Sequence, residues 1–220
     1  MNANSRDKEI ASRGEDMKLV VGISGATGAI YGIRMLEALK ACQVETHLVL
    51  TDSAKRTIDT ETTFSVKEVE KLAAYVHDNR DIGASIASGS FKNDGMIIAP
   101  CAIKSLSALA NSYNDCLLVR AADVALKEKR KLVVIPRETP LHIGHLRLFT
   151  AVAEMGAVIL PPMPAYYHQP KTIDDIINQT VGKTLDQFDI DHQQFKRWEG
   201  EDFSQVIRPL SLNRGQEYGI

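Results

Sequence analysis

Leu19-Val20-Val21-Gly22-Ile23-Ser24-Gly25-Ala26-Thr27-Gly28 decides the fold of this chain. An apolar run of strand length, Leu19 to Ile23, stops in a glycine-rich turn. The next segment, Ala29 to Ala41, carries Ile30, Ile33, Leu36 and Leu39 near helical spacing. Strand, glycine turn and helix in that order open a βαβ unit, in which N–H groups at the helix start approach a phosphate. Further strand-length apolar runs lie at His47 to Leu50, Met96 to Ala99, Leu132 to Ile135 and Ala157 to Leu160. Helical periodicity recurs between them, at Val66 to Val76 and Asp115 to Leu126. The alternation predicts an α/β fold with one doubly wound parallel sheet in three α/β/α layers. A last helix is expected from Thr172 as N-cap to Phe188, with Ile173, Ile176, Ile177, Val181, Leu185 and Phe188 as one apolar stripe.

The chemistry gathers at the strand ends. In Lys131-Leu-Val-Val-Ile-Pro-Arg-Glu-Thr-Pro-Leu-His142, the run Val133 to Ile135 reads as a buried parallel strand, and Pro136 and Pro140 fix the backbone where it stops. Ligands of open α/β sheets bind at that carboxyl edge. Arg137 there suits a phosphate and Glu138 suits proton transfer. Thr51-Asp52-Ser53 ends the second strand, and Cys101-Ala102-Ile103-Lys104-Ser105 follows Pro100 at the end of another. Converging on one edge, these turns would line a pocket for a flat phosphorylated cofactor.

Other motifs are weaker. The glycine spacing is G-x-x-G-x-x-G rather than G-x-G-x-x-G, which weakens a nicotinamide reading in which Asp52 would hold the ribose. The segment nearly spells the esterase elbow, but its last position is Ala26 and Ser24 lacks histidine and acid partners in order. Ser24 and Thr27 instead offer hydroxyls to a phosphate or to the turn. His142 and His145, three apart with no third ligand, read as capping or supporting histidines rather than metal ligands. Lys127-Glu-Lys-Arg-Lys131 is a solvated charge run, one member of which can turn inward. Pro161-Pro-Met-Pro-Ala-Tyr-Tyr-His168 is a rigid loop past the fifth predicted strand that presents two tyrosines.

With 220 residues and 44% hydrophobic content, the chain can bury one core and shows no second domain. Residues 1–16 are polar and aperiodic, so Met17 is the expected structural start, residues 17–188 the domain, and residues 189–220 a tail packing on the domain or on a neighbouring subunit. The net charge of -2 argues against nonspecific binding to nucleic acid or anionic membrane. Cys42, Cys101 and Cys116 are odd in number and widely spaced, which argues against a disulfide framework or zinc cage and suits a reducing cytoplasm. No run approaches the roughly 18 apolar residues of a membrane span and no signal-peptide core is present. A soluble intracellular protein is expected.

Val21-Gly-Ile-Ser-Gly-Ala-Thr-Gly-Ala-Ile-Tyr-Gly32, Ala87-Ser-Gly-Ser-Phe91, Arg120-Ala-Ala-Asp-Val124, Pro136-Arg-Glu-Thr-Pro-Leu-His142 and Pro161 to His168 together resemble the UbiX-type flavin prenyltransferases, over about Met17 to Trp198. The resemblance implies a flavodoxin-like or Rossmann-like homo-oligomer, typically a dodecamer, with FMN between subunits. It implies transfer of a dimethylallyl group from dimethylallyl monophosphate to N5 and C6 of reduced FMN, without a metal, and delivery of prenylated FMN to a UbiD-type decarboxylase. By matching motif, Gly25, Ala26, Thr27, Thr51, Ala102, Ile103, Lys104, Ser105 and Arg137 would hold FMN. Lys127, Tyr167 and Lys183 would bind the substrate phosphate, Trp198 would wall the pocket, and Glu138 and Glu61 would handle the proton. Serine is common in the family at Thr27, Thr51 and Ala102, threonine at Ser105, and arginine in some branches at Lys183. A cysteine-type flavin decarboxylase would need an asparagine that Pro161-Pro-Met-Pro164 lacks. A flavin carrier without catalysis is the remaining alternative.

Overall fold

The structure, a computed structural model, describes residues 17–198 and Gly200. The segment 1–16 and the tail beyond Gly200, including Phe203, lie outside the described residues. Six strands form one parallel sheet: β1 (Lys18–Ile23), β2 (Glu45–Leu50), β3 (Tyr75–Asp78), β4 (Gly95–Cys101), β5 (Lys131–Pro136) and β6 (Val158–Ile159), in the order β3-β2-β1-β4-β5-β6. The helices are α1 (Ala29–Ala41), α2 (Asp52–Glu61), α3 (Val66–Glu70), α4 (Ile103–Ala110), α5 (Leu117–Lys127), α6 (Ile143–Glu154) and α7 (Ile173–Asp186).

Alternation along each strand builds the three layers. Val21, Leu48, Ile97, Val133 and Ile135 face one core with α1 and α7 residues such as Ile33, Leu36, Val181 and Leu185. Val20, Val49, Met96, Ile98, Leu132 and Val134 face the other, with α4, α5 and Val152 of α6. Burial on both faces gives near-continuous apolar strands, the runs visible in the sequence. Gly32 lets α1 lie close on the sheet: a Cβ there would come within 2.3 Å of the Ala99 carbonyl oxygen.

The strand order reverses between β1 and β4, which opens a crevice at their carboxyl ends. The register Val21↔Ile97 and Gly22↔Ile98 places those ends side by side. Ser24 then ties them together. Its N–H and Oγ both donate to the Pro100 carbonyl, at 3.1 and 2.9 Å, and its Oγ accepts from the Ala102 N–H at 2.6 Å.

Several expected boundaries are corrected. The helix expected over Val66 to Val76 ends at Glu70, and Tyr75–Asp78 is the edge strand β3. Leu72, Ala73 and Val76 satisfy either period in sequence; the open edge of β2 decides, pairing His47 with Tyr75 in register and stacking their rings 4.7 Å apart. The last helix stops before Phe188, which is still buried, while Ile173 is 77% exposed and leaves the apolar stripe. Helices α2, α4 and α6 follow strand ends where only turns were read. Thr172 caps α7 as expected, and His142 caps α6 by accepting the Gly144 N–H on Nδ1 at 3.0 Å.

Candidate functional site

Four turns meet at the β1/β4 crevice. Gly25 packs so tightly on α2 that a Cβ would lie 2.1 Å from that of Ser53, which holds the glycine turn against the start of α2. Gly28, at φ 94, is the left-handed cap of α1, a backbone state that glycine adopts without strain. Ala26 is buried, whereas Gly25 and Thr27 are exposed. Thr51 caps α2 through its hydroxyl, which accepts the Ala54 N–H at 3.1 Å. From the far end of α2, a Glu61 carboxylate oxygen returns to accept the Gly28 N–H at 2.7 Å.

Ala102 is the N-cap of α4 and no side chain caps that helix. With the Ala102 N–H committed to Ser24, the N–H groups of Ile103, Lys104 and Ser105 are the first-turn donors facing the crevice. The Lys104 ammonium points elsewhere, 3.6 Å from Asp115. Arg137 hangs from β5 by its N–H, which donates to the Cys101 carbonyl at 3.2 Å. Its half-buried guanidinium has no ion pair or hydrogen bond among the described residues. Glu138 beside it accepts the Thr139 N–H at 3.0 Å instead of pairing with Arg137. A half-buried guanidinium without a carboxylate partner among the described residues, on a backbone held beside an uncapped helix start, is suited to an anion.

Sequence reasoning missed Tyr31. It stands on the first turn of α1 close enough to Arg137 for the charges to interact: burial pushes its phenol up, and the guanidinium partly offsets that. Its place three residues after Gly28 was the one available signal. Neither candidate nucleophile of the crevice is activated. The Ser24 hydroxyl is spent on the two turns, and burial pushes the Cys101 thiol up to about 12.

The remaining expected residues do not converge here within one chain. Tyr167 and Trp198 stand edge to face, ring centroids 6.1 Å apart, near the outer side of α7, where Lys183 lies 3.8 Å from Asp186. Lys127 ends α5 at the opposite edge of the sheet. It pairs with Glu128 and sits beside Gly89, which Arg130 holds through its carbonyl. The length of β5 separates that edge from Arg137, roughly 20 Å.

The flavoprotein family profile matches residues 8–185. A flavin prenyltransferase UbiX of Thauera aromatica is 66% identical over 192 residues, covering 87% of this chain and 99% of its own length. The chain belongs to the UbiX family of flavin prenyltransferases. Among solved UbiX structures, AnUbiX (PadA1), in complex with FMN and dimethylallyl pyrophosphate, superposes with a TM-score of 0.83 at 48% identity over 84% of this chain and 99% of that one. A dodecameric FMN-dependent UbiX-like decarboxylase from Escherichia coli O157:H7 gives 0.82 at 49% identity, covering 84% of this chain and 100% of that one. Among the described residues of this UbiX-family chain, no group of histidine, cysteine and acidic side chains could hold a metal and no helix is long and apolar enough to cross a membrane.

Proposed function

We propose that this protein joins the dimethylallyl group of dimethylallyl monophosphate to reduced FMN and passes the prenylated FMN to a UbiD-type decarboxylase. The observation that carries the reading is Arg137, half-buried and without an ion pair among the described residues, held by its backbone beside the uncapped start of α4 at a crevice whose glycine turn has no room for a side chain at residue 25. FMN fits that set: Gly25, Ala26 and Thr27 give close backbone approach, Thr51 and the Ala102–Ser105 turn line the edge, and Arg137 neutralises its phosphate. When bound and reduced, FMN supplies N5 and C6 as the positions that accept the prenyl group.

This chain's residues then have three tasks. Lys127, Lys183 and Tyr167 surround the substrate phosphate, since an allylic C–O bond breaks more easily where cations and donors receive the leaving oxygens. Trp198 shields the allyl fragment from water. Glu138 and Glu61 take up the proton that ring closure releases. The placement of Lys127 across the sheet supports a homo-oligomer, a dodecamer as in the Escherichia coli relative, in which one copy's Lys127 serves another copy's crevice. Residues 17–188 form the flavin-binding domain, acting in the cytoplasm. Anaerobic incubation with reduced FMN and dimethylallyl monophosphate, followed by mass spectrometry of the released flavin, tests the reading: a flavin one C5 unit heavier is expected, and an unchanged mass overturns it.

A further inference from the structure

Helix α7 carries a second polar cluster away from the glycine turn. Asp186, at its C-terminal end, accepts two guanidinium hydrogen bonds from Arg197, at 2.6 and 3.1 Å, and lies 3.1 Å from Nε2 of His192. Lys183, one turn earlier, stands farther from the same carboxylate at 3.8 Å. The Asp186 side chain is 18% exposed and that of His192 is 1% exposed, so carboxylate and imidazole are sheltered, while the Arg197 guanidinium closes the cluster from its exposed side. Burial pushes the Asp186 carboxyl up, but the hydrogen bonds from Arg197 and His192 outweigh it and hold the group below its ordinary range. On the same face of α7, four residues before Asp186, Gly182 makes room: a Cβ there would come within 2.6 Å of the His192 and Phe195 rings. The chain from His192 therefore folds back along α7 and brings Trp198 edge-on to Tyr167.

We propose that Asp186 is a positioning residue for the substrate-phosphate subsite. Its carboxylate clasps the returning segment through Arg197 and His192 and so sets Trp198 against Tyr167. Because Arg197 is the closer partner, the negative charge is already matched and the Lys183 ammonium stays available to an incoming phosphate. Asp186 itself touches no reacting atom. The proposal rests on the reading above that Lys183, Tyr167 and Trp198 serve the allylic phosphate.

Trp198 is the one tryptophan of the chain, so its emission reports the seating of this segment without any turnover. Asp186→Asn should shift that emission to the red and increase acrylamide quenching. It should raise KM for dimethylallyl monophosphate about tenfold or more, the scale of a charged hydrogen bond, with kcat and FMN affinity close to wild type. Gly182→Ala, which leaves the carboxylate intact, should reproduce the emission change by collision with His192 and Phe195. Unchanged emission in both variants overturns the clasp. Altered emission with an unchanged KM overturns the positioning role. Lys183→Ala separates this from the underlying reading: if that variant also keeps its KM, the phosphate subsite lies elsewhere and the reading itself fails.

Discussion

The N–H of Gly28 donates to the Glu61 carboxylate at 2.7 Å across 33 residues of sequence. This bond ties the start of α1 to the end of α2 and puts a negative charge on the positive end of the α1 dipole, a favourable position. Glu61 thereby stands at the glycine turn, on its exposed side. Glu61→Gln should keep the acceptor and the fold while removing the proton site. Turnover of Glu61→Gln or Glu138→Gln should fall by about 10²–10⁴ for whichever residue carries the proton, with FMN binding retained. Single-turnover rates beside flavin titrations would show this; full activity in both variants would remove both carboxylates from the chemistry.

Arg137→Ala should weaken FMN binding by about 10- to 100-fold, since a hydrogen bond to a charged group contributes roughly 1.5–3 kcal/mol. Flavin fluorescence titration measures it. Unchanged affinity would place the phosphate elsewhere.

Ser24→Ala deletes the hydroxyl that bridges Pro100 and Ala102 and leaves the Ala102 N–H without its partner. A loss of about 1–3 kcal/mol is expected in urea unfolding, together with weaker flavin binding because the β1 and β4 turns are no longer tied. A stable variant that binds flavin normally would show that the bridge is dispensable.

His77 should make stability pH-dependent. Its ring lies 3.0 Å from that of His47, and burial first, then the His47 charge, pull its pKa down, with Asp81 opposing. For a group depressed in the folded state, the unfolded chain binds more protons. Its contribution is therefore complete above the ordinary histidine value, about 6.5, and fades as pH falls through the folded one. Thermal unfolding should show a lower midpoint at pH 5.5 than at pH 7.5, with a smaller drop in His77→Asn. Equal drops in both proteins would place the acid sensitivity elsewhere; Glu45, whose carboxyl is held below its ordinary range by hydrogen bonds from Lys18 and His47, loses its contribution only at more acid pH than this comparison spans.

The two-faced strands were legible because full burial makes β1, β4 and β5 apolar without interruption, whatever their neighbours. Edge strand β3 was not. Tyr75 and Val76 are 54% and 47% exposed, so solvent imposes no pattern on them, and their state depends on β2 lying beside them. In the same way Gly25, Ala102 and Arg137 announced a strand-edge pocket from glycine and turn chemistry. The Ser24 bridge carried no sequence signal, and Tyr31 only its place three residues after Gly28, because their partners come from elements that follow the crossover from β3 to β4.

Sequence alone determined most of the alternation of strand and helix, the cap at Thr172, and the kinds of side chain at each strand end, since these follow from local periodicity and backbone preference. Tertiary structure alone decided which of them share a crevice. It set Glu61 on the Gly28 N–H, left Arg137 without a carboxylate partner among the described residues, and sent Lys127 to the opposite edge of the sheet. Helix α5 runs antiparallel to the strands it connects, so a residue ten positions before Arg137 ends a whole strand length away from it.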